Sequence, residues 1–289
     1  MHTRVGGGSH TVGVIGWPVS GSLSPVIHNT AFAALGLDWV YVPLPVPPDG
    51  LRRAIAGLSA LGFTGANVTM PHKTEAAELM DQRSEDAERL QAVNTIVVNP
   101  DGLAGHNTDV AGFERFLRAD AGFEATGRSA LIFGGWGAAR ACALALARLG
   151  VTQLSIALRD PAKDGGVRRT LDGFDVSLTV VTFDRASLAE VDLVVNATPL
   201  GARGERLPVP KLGPGDLVVD LLYRPSTTPL QADAKLAGAA AFGGLGLLLH
   251  QAALSFELWT GQIPPLQAMS AAAVAELTEP GDEGPSAGA

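Results

Sequence analysis

"ALIFGGWGAARA", residues 130–141, is the stretch that decides the fold. Its apolar start, Ala130–Phe133, predicts a strand; Gly134, Gly135 and Gly137 predict a tight turn; the run from Ala138 to Gly150 predicts a helix. Strand, glycine turn and helix surround a pyrophosphate with backbone N–H groups and the positive end of a helix. Trp136 stands inside that turn, where a glycine would let the backbone approach the phosphates. Two arrangements fit. Either Gly135 and Gly137 take over through a local shift while the indole swings outward, or the indole crowds the pyrophosphate. The N–H donors survive in both, and the outward indole is the expectation.

Outward from this turn the chain alternates apolar runs with amphipathic ones. "TVGVIG" (11–16), "WVYVPLPV" (39–46), "FTGANVT" (63–69) and "AVNTIVV" (92–98) predict strands, and "NPDG" (99–102) a turn. A helix is expected from Pro25, with Val26, Ala33 and Leu37 on its apolar face. A second is expected behind Asp49 as cap, with Leu51, Ile55, Leu58 and Leu61 facing inward. Beyond residue 112 the pattern repeats through "SALIF", "LSIAL", "SLTVV", "DLVVNAT" and "LVVDLL". Strands separated by helices predict parallel sheets covered on both faces. The expected fold class is α/β in two domains, the second a Rossmann-type dinucleotide-binding domain. Residues 1–111 with 247–279 form the first domain in this reading, 112–246 the second, and 280–289 a disordered tail.

Composition narrows the function. Of 289 residues, 46% are hydrophobic and 17% charged, and 21 basic against 29 acidic residues give −8. Without clustered Lys and Arg, neither nucleic acid nor an anionic membrane surface is expected as partner. The single cysteine, Cys142, fits a cytoplasmic protein. No apolar stretch approaches the ~20 residues of a membrane span, and "MHTRVGGGSH" lacks an apolar signal core. The six histidines (2, 10, 28, 72, 106, 250) have no metal-ligand spacing, so no metal is expected. A G-x-S-x-G nucleophile elbow is also missing.

Ligands of open α/β sheets bind beyond the carboxyl ends of the strands. Four polar clusters are predicted there. "SGSLSP" places Ser20, Ser22 and Ser24 before a helix, as a carboxylate or phosphate site requires. "NVTMPHK" supplies Asn67, Thr69 and Lys73; "AVNT" sets Asn94 in an apolar run; "GHNTDVAG" brings Asn107 and Asp109 to the exit toward the second domain.

Together with "FGGWGAARA", "VVNATPLG", "DLLYRPSTTPL" and "GGLGLLLHQAALSFELWTG", these motifs resemble, in order and spacing, the shikimate dehydrogenases, from about Val12 to Trp259. The resemblance implies an open α/β substrate domain and a Rossmann-type dinucleotide-binding domain with the active-site cleft between them. It also implies reversible reduction of 3-dehydroshikimate to shikimate, in aromatic amino-acid biosynthesis, with NADP as cofactor. It implies Lys73 and Asp109 as the catalytic pair. Ser22 and Ser24 would hold the substrate carboxylate; Thr69, Asn94, Asp109 and Gln251 the ring hydroxyls; Tyr223 would line the cleft. Gly134, Gly135, Trp136, Gly137, Ala138, Asn196, Thr198, Gly244 and Leu247 would flank the cofactor.

The chain departs from the family at several points. Gly21 replaces a histidine, Leu247 a methionine, and Trp136 the second glycine of the turn. After the second strand of the nucleotide domain, Arg159 and Lys163 suit a 2′-phosphate, whereas Asp160 suits the free ribose of NAD. NADP is the expected cofactor, with NAD as the alternative. Two other functions stay open: an NAD-dependent quinate/shikimate or aminoshikimate dehydrogenase, and a non-catalytic binding protein with a damaged cofactor turn. Lys73 and Asp109 argue against the second, since binding alone has no need of the pair. A monomer or homodimer is expected.

Overall fold

The structure is a computed structural model and describes residues 5–162, 164 and 166–278. Lys163 and the segment expected to be a disordered tail, 280–289, lie outside the described residues.

The first sheet is built from β1 (His10–Gly16), β2 (Trp39–Pro45), β3 (Phe63–Val68), β4 (Gln82–Arg83), β5 (Thr95–Asn99) and β6 (Gly102–His106), in the order β2-β1-β3-β5-β6-β4. Helices α1 (Ser24–Ala34), α2 (Leu51–Ala60), α3 (Lys73–Glu78) and α4 (Glu85–Leu90) connect these strands. Next come α5 (Asp109–Ala119), β7 (Ser129–Phe133), α6 (Gly137–Arg148), β8 (Gln153–Leu158), α7 (Val167–Thr170) and β9 (Ser177–Thr182). The chain continues through α8 (Phe183–Ala186), β10 (Leu193–Asn196), β11 (Leu217–Asp220), α9 (Pro229–Leu236) and β12 (Ala240–Gly243). It ends with α10 (Leu245–Thr260) and α11 (Leu266–Thr278).

The second sheet is parallel throughout, in the order β12-β11-β10-β7-β8-β9. Renumbered from β7, this is the 3-2-1-4-5-6 order of a doubly wound nucleotide fold, and its reversal point lies between β7 and β10. Its strands are apolar on both faces, as burial under helices on both sides requires.

The first sheet departs from the parallel expectation. β5 runs antiparallel to both β3 and β6. The cause is the "NPDG" turn: it leaves two residues between β5 and β6, which suffices for a hairpin, whereas a parallel crossover needs a dozen or more. Two helix details also differ. The cap of α2 is Gly50, not Asp49, because Pro47 and Pro48 start a 3-10 turn one residue earlier. In α1 the fully buried face is Ile27, His28, Ala31 and Phe32; Val26 and, beyond the helix, Leu37 pack partly buried against the same core, whereas Ala33 is exposed. That helix begins at Ser24, so its buried stripe falls at spacings of three, four and seven from there.

Apolar cores cover both sheets. The helices α10 and α11 return to the first sheet: Leu249, Ala252, Phe256, Trp259, Met269 and Ala273 pack with Val12, Val14, Ile27 and Phe32. Meanwhile Phe113, Phe116 and Leu117 of α5 pack with Ile132 and Val195 of the second sheet and with Leu144 of α6. Gly112 makes the crossing of α5 and α10 possible, since a Cβ there would meet the backbone of Gln251 at 2.9–3.1 Å. Among the described residues no helix is long and apolar enough to cross a membrane.

Candidate active site

Lys73 opens α3, just beyond the carboxyl end of β3, and Asp109 opens α5, just beyond β6. Both ends point toward the same cleft. Lys73 Nζ donates to Asp109 Oδ2 over 2.6 Å, with the lysine side chain 21% exposed and the aspartate 10%. The other carboxylate oxygen, Oδ1, accepts from Asn94 Nδ2 at 2.8 Å. Asn94 cannot turn over without loss: its Oδ1 accepts the backbone N–H of Thr108 at 2.8 Å, an unambiguous donor. Its Nδ2 must therefore face Asp109. The backbone of Asp109 is held in turn by Asn107 Oδ1 at 3.1 Å, and Asn107 donates to the Ala92 carbonyl at 2.9 Å.

Gln251 arrives from α10, its Oε1 3.3 Å from Asn94 Nδ2. Thr69 sits half-buried at the end of β3 with its N–H on the Ile15 carbonyl. Gly16 has to be glycine here, because a Cβ would run into the Thr69 methyl group. Ser22 and Ser24 lie at the entry to α1, where Ser22 Oγ accepts from the Ser24 N–H at 3.3 Å. Ser24 is buried and hydrogen-bonds the Tyr41 phenol, whose hydroxyl donates to Asn67 Oδ1 at 2.8 Å. Tyr223 follows β11 of the second sheet yet packs, partly buried, against the core of the first. Burial pushes its phenol above the usual tyrosine range.

The glycine turn lies at the reversal point of the second sheet. Gly134 takes φ +112°, and a Cβ there would stand 3.1 Å from the Ala197 carbonyl and 3.3 Å from the Thr198 methyl. Only glycine tolerates both the backbone angle and the approach. Gly135 is tight as well, since a Cβ would meet Leu158 at 2.8 Å. Asn196, at the end of β10, braces the facing loop: it accepts from Thr198 Oγ1 at 2.7 Å and donates to Leu200 O and Asp220 Oδ1. Trp136 is the N-cap of α6 in extended conformation, with its side chain 81% exposed. The indole thus stands in the open rather than packed within the turn. Gly137 and Ala138 follow as the first residues of α6, with the N–H groups that a helix start leaves for a ligand. The Cβ-free cradle and the helix start together fit a dinucleotide pyrophosphate.

Arg159 and Asp160 are exposed after β8, and Asp160 Oδ1 accepts the Ala162 N–H at 3.1 Å. Gly244 caps α10 so close to the Leu221 carbonyl that no side chain fits, and Leu247 packs against the second core. The lysine stem lies near the cofactor turn: a Cβ built on Gly137 would stand 3.9 Å from Lys73 Cδ. Elsewhere Arg89 donates to the Thr170 carbonyl and Arg148 to Asp86 between the two halves.

Sequence reasoning did not single out Thr95, Thr108 and Ser255. They form the buried hydroxyl layer beneath Asn94. A signal existed for Ser255, which lies one helical turn after Gln251 and so shares its face of α10. Among the described residues no group of three or more His, Cys, Asp or Glu is placed to hold a metal.

A doubly wound sheet with a glycine turn at its reversal point, facing a lysine–aspartate pair across a cleft, defines a two-domain dinucleotide-dependent oxidoreductase. Known proteins make the class narrower. Residues 14–96 match the shikimate dehydrogenase substrate binding domain, and residues 244–274 the shikimate 5′-dehydrogenase C-terminal domain. The NADP(+) shikimate dehydrogenase of Citrifermentans bemidjiense is 43% identical over 96% of this chain and 98% of its own. A crystal structure of a shikimate dehydrogenase in complex with NADP+ superposes with TM-score 0.87 at 34% identity, covering 96% of this chain and 99% of that one. The shikimate 5-dehydrogenase of Thermus thermophilus, in complex with NADP(H) and shikimate, gives 0.81 at 33% identity, covering 92% and 99%. The chain belongs to the shikimate dehydrogenase family.

Proposed function

We infer that this protein is an NADP-dependent shikimate dehydrogenase, reversibly reducing 3-dehydroshikimate to shikimate on the route to the aromatic amino acids. The observation that carries the reading is the 2.6 Å Lys73–Asp109 pair set against Gly137 of the cofactor turn.

Ketone reduction leaves an alkoxide that must gain a proton. Lys73 is the group to supply it, and Asp109 holds the ammonium in place. Asn94 fixes Asp109, so neither member of the pair drifts between turnovers. Ser22 and Ser24 would receive the substrate carboxylate. Thr69, Asn94, Asp109 and Gln251 would take the ring hydroxyls, and Tyr223 would close one wall. This density of neutral donors and acceptors rejects a substrate lacking a hydroxyl, because the protein group left behind is unpaired. Gly134, Gly135, Trp136, Gly137 and Ala138 would hold the pyrophosphate on their backbone. Asn196, Thr198, Gly244 and Leu247 would flank the nicotinamide half, and Arg159, with Lys163, the 2′-phosphate. NADP bound there supplies the hydride for the carbonyl carbon.

The matching domain division is 1–111 with 247–279 for substrate and 112–246 for the dinucleotide. The hydrogen bonds of Gln251 and Ser255 to the first sheet support it. Cysteine usage supports a cytoplasmic location, and a monomer or homodimer is the working assembly.

Absorbance at the nicotinamide band, with shikimate and quinate each offered NADP and NAD, tests this reading. Shikimate with NADP should give the highest kcat/KM. A higher value for quinate would overturn the substrate assignment, and no turnover in any combination would overturn the enzyme.

A further inference from the structure

Ser255 is fully buried, and its hydroxyl is a meeting point for four structural elements. It accepts from Asn67 Nδ2 of β3 at 3.0 Å. It lies 2.8 Å from Thr95 Oγ1 of β5 and 3.4 Å from Thr108 Oγ1 at the cap of α5. On its own helix the Gln251 carbonyl lies 3.0 Å away as an alternative acceptor. A serine hydroxyl offers one proton and two lone pairs; with the Thr95 proton on Asn94, the Ser255 proton is shared between Thr95 Oγ1 and the Gln251 carbonyl. Thr95 in turn donates to Asn94 Oδ1 at 3.0 Å. Asn67 is anchored from behind by Tyr41, whose ring is stacked on His28 with centroids 4.5 Å apart and planes 4° from parallel.

We propose that Ser255 is a positioning residue for substrate, with Tyr41 and Asn67 as its support. The relay Tyr41–Asn67–Ser255–Thr95 buttresses the Asn94 amide in the orientation that the Thr108 N–H sets, and holds the register of Gln251 against it. This deepens the shikimate dehydrogenase reading and rests on it. The relay touches neither the cofactor turn nor Lys73. Its loss therefore affects substrate capture while leaving dinucleotide binding alone. Donors and acceptors that meet a polyhydroxylated ring in both ground and transition state act on KM rather than kcat.

The test uses Ser255→Ala and Tyr41→Phe in the full chain, with shikimate and NADP dissociation constants from calorimetry beside steady-state kinetics. Wild-type binding of shikimate comes first, and its absence would overturn the functional reading itself. With that in hand, Ser255→Ala should raise the shikimate Kd and KM roughly tenfold, the size of one buried hydrogen-bonding group left short of a partner. Tyr41→Phe, which removes the hydroxyl that Asn67 and Ser24 share, should raise them about threefold. The NADP Kd should stay within twofold in both, which also shows that each variant is folded. A lowered melting temperature with unchanged shikimate Kd would mean a structural role only, and would overturn the proposal. Should Ser255→Ala fail to fold, Thr95→Val decides, since Thr95 links Ser255 to Asn94 and is assigned no substrate contact: an unchanged shikimate Kd refutes the relay, and a raised one with unchanged NADP Kd supports it.

Discussion

Lys73 Nζ and Asp109 Oδ2 stand 2.6 Å apart, brought together from two strand ends 36 residues apart in sequence. Both residues open a helix, α3 and α5 respectively, so their backbones are fixed by hydrogen bonding one turn on. The carboxylate is used on both oxygens, by the ammonium and by the Asn94 amide.

Lys73→Ala should lower kcat by ~10²–10⁴ while the shikimate KM moves only a few-fold, because the ammonium acts on charge that develops during reduction. Asp109→Asn should damage both parameters, since its oxygens hold the lysine and the Asn94 amide, and the proposed function gives it a ring hydroxyl as well. Steady-state kinetics of the two variants check this. Near-normal turnover in Lys73→Ala would refute the assigned role.

For Trp136→Gly, the NADP Kd should stay within about twofold of wild type, because the indole stands in the open and the N–H donors are unchanged. Its stability should change by less than about 0.5 kcal/mol, because Trp136 is the N-cap of α6 and glycine is well tolerated there. Titration with NADP and NAD distinguishes the cases. A much tighter complex would show that the indole crowds the phosphates, and a much weaker one that it touches the nucleotide.

Gly112→Val should destabilise by about 1–3 kcal/mol, because its side chain would have to displace the backbone of α10 at Gln251. Gly57→Ala in α2 is the contrasting case. Its nearest neighbour, Leu61 Cδ1, would be 3.7 Å away, and helix propensity should add up to about 1 kcal/mol. Thermal melts of the two variants should therefore move in opposite directions.

His28 gives a pH prediction. Burial among aromatic rings pushes its imidazole down from the ordinary 6.5 to about 3. Between those values the unfolded chain takes a proton that the native one refuses. Stability from this residue is therefore complete above pH 6.5 and falls as pH drops toward 3, by about 2 kcal/mol at pH 5. Urea unfolding of wild type and His28→Leu at pH 7 and pH 5 measures it. The variant should lose less on acidification, and equal losses would contradict the assignment.

The nucleotide half was the more legible in sequence. "ALIF" and the glycine turn announced β7 and α6 by local chemistry alone, and the structure places them at the reversal point of the sheet. Lys73, Asn94 and Asp109 were legible because polar residues stand out at the ends of apolar runs. Thr95 and Ser255 were not, because small hydroxyls inside a buried stripe do not disturb its hydrophobic period. The fully buried face of α1 was misread by a residue or two, since Ser24, a buried polar residue, belongs to the first turn. The antiparallel β5–β6 pair was written in "NPDG", whose shortness forbids a crossover, but a turn signal alone names no partner strand.

The return of α10 and α11 to the first sheet has a consequence for the making of the protein. Strands β1 to β6 are complete by His106, yet the apolar residues that cover one of their faces begin near Leu249. At the usual ribosomal pace of ~5–20 residues per second, that face waits on the order of 10 s for its cover. During the wait the whole parallel sheet of the nucleotide half emerges and has its own helices to hand. The half that grips the cofactor is thus equipped to fold ahead of the half that grips the substrate, and Gln251 and Ser255 are among the last parts of the site to arrive.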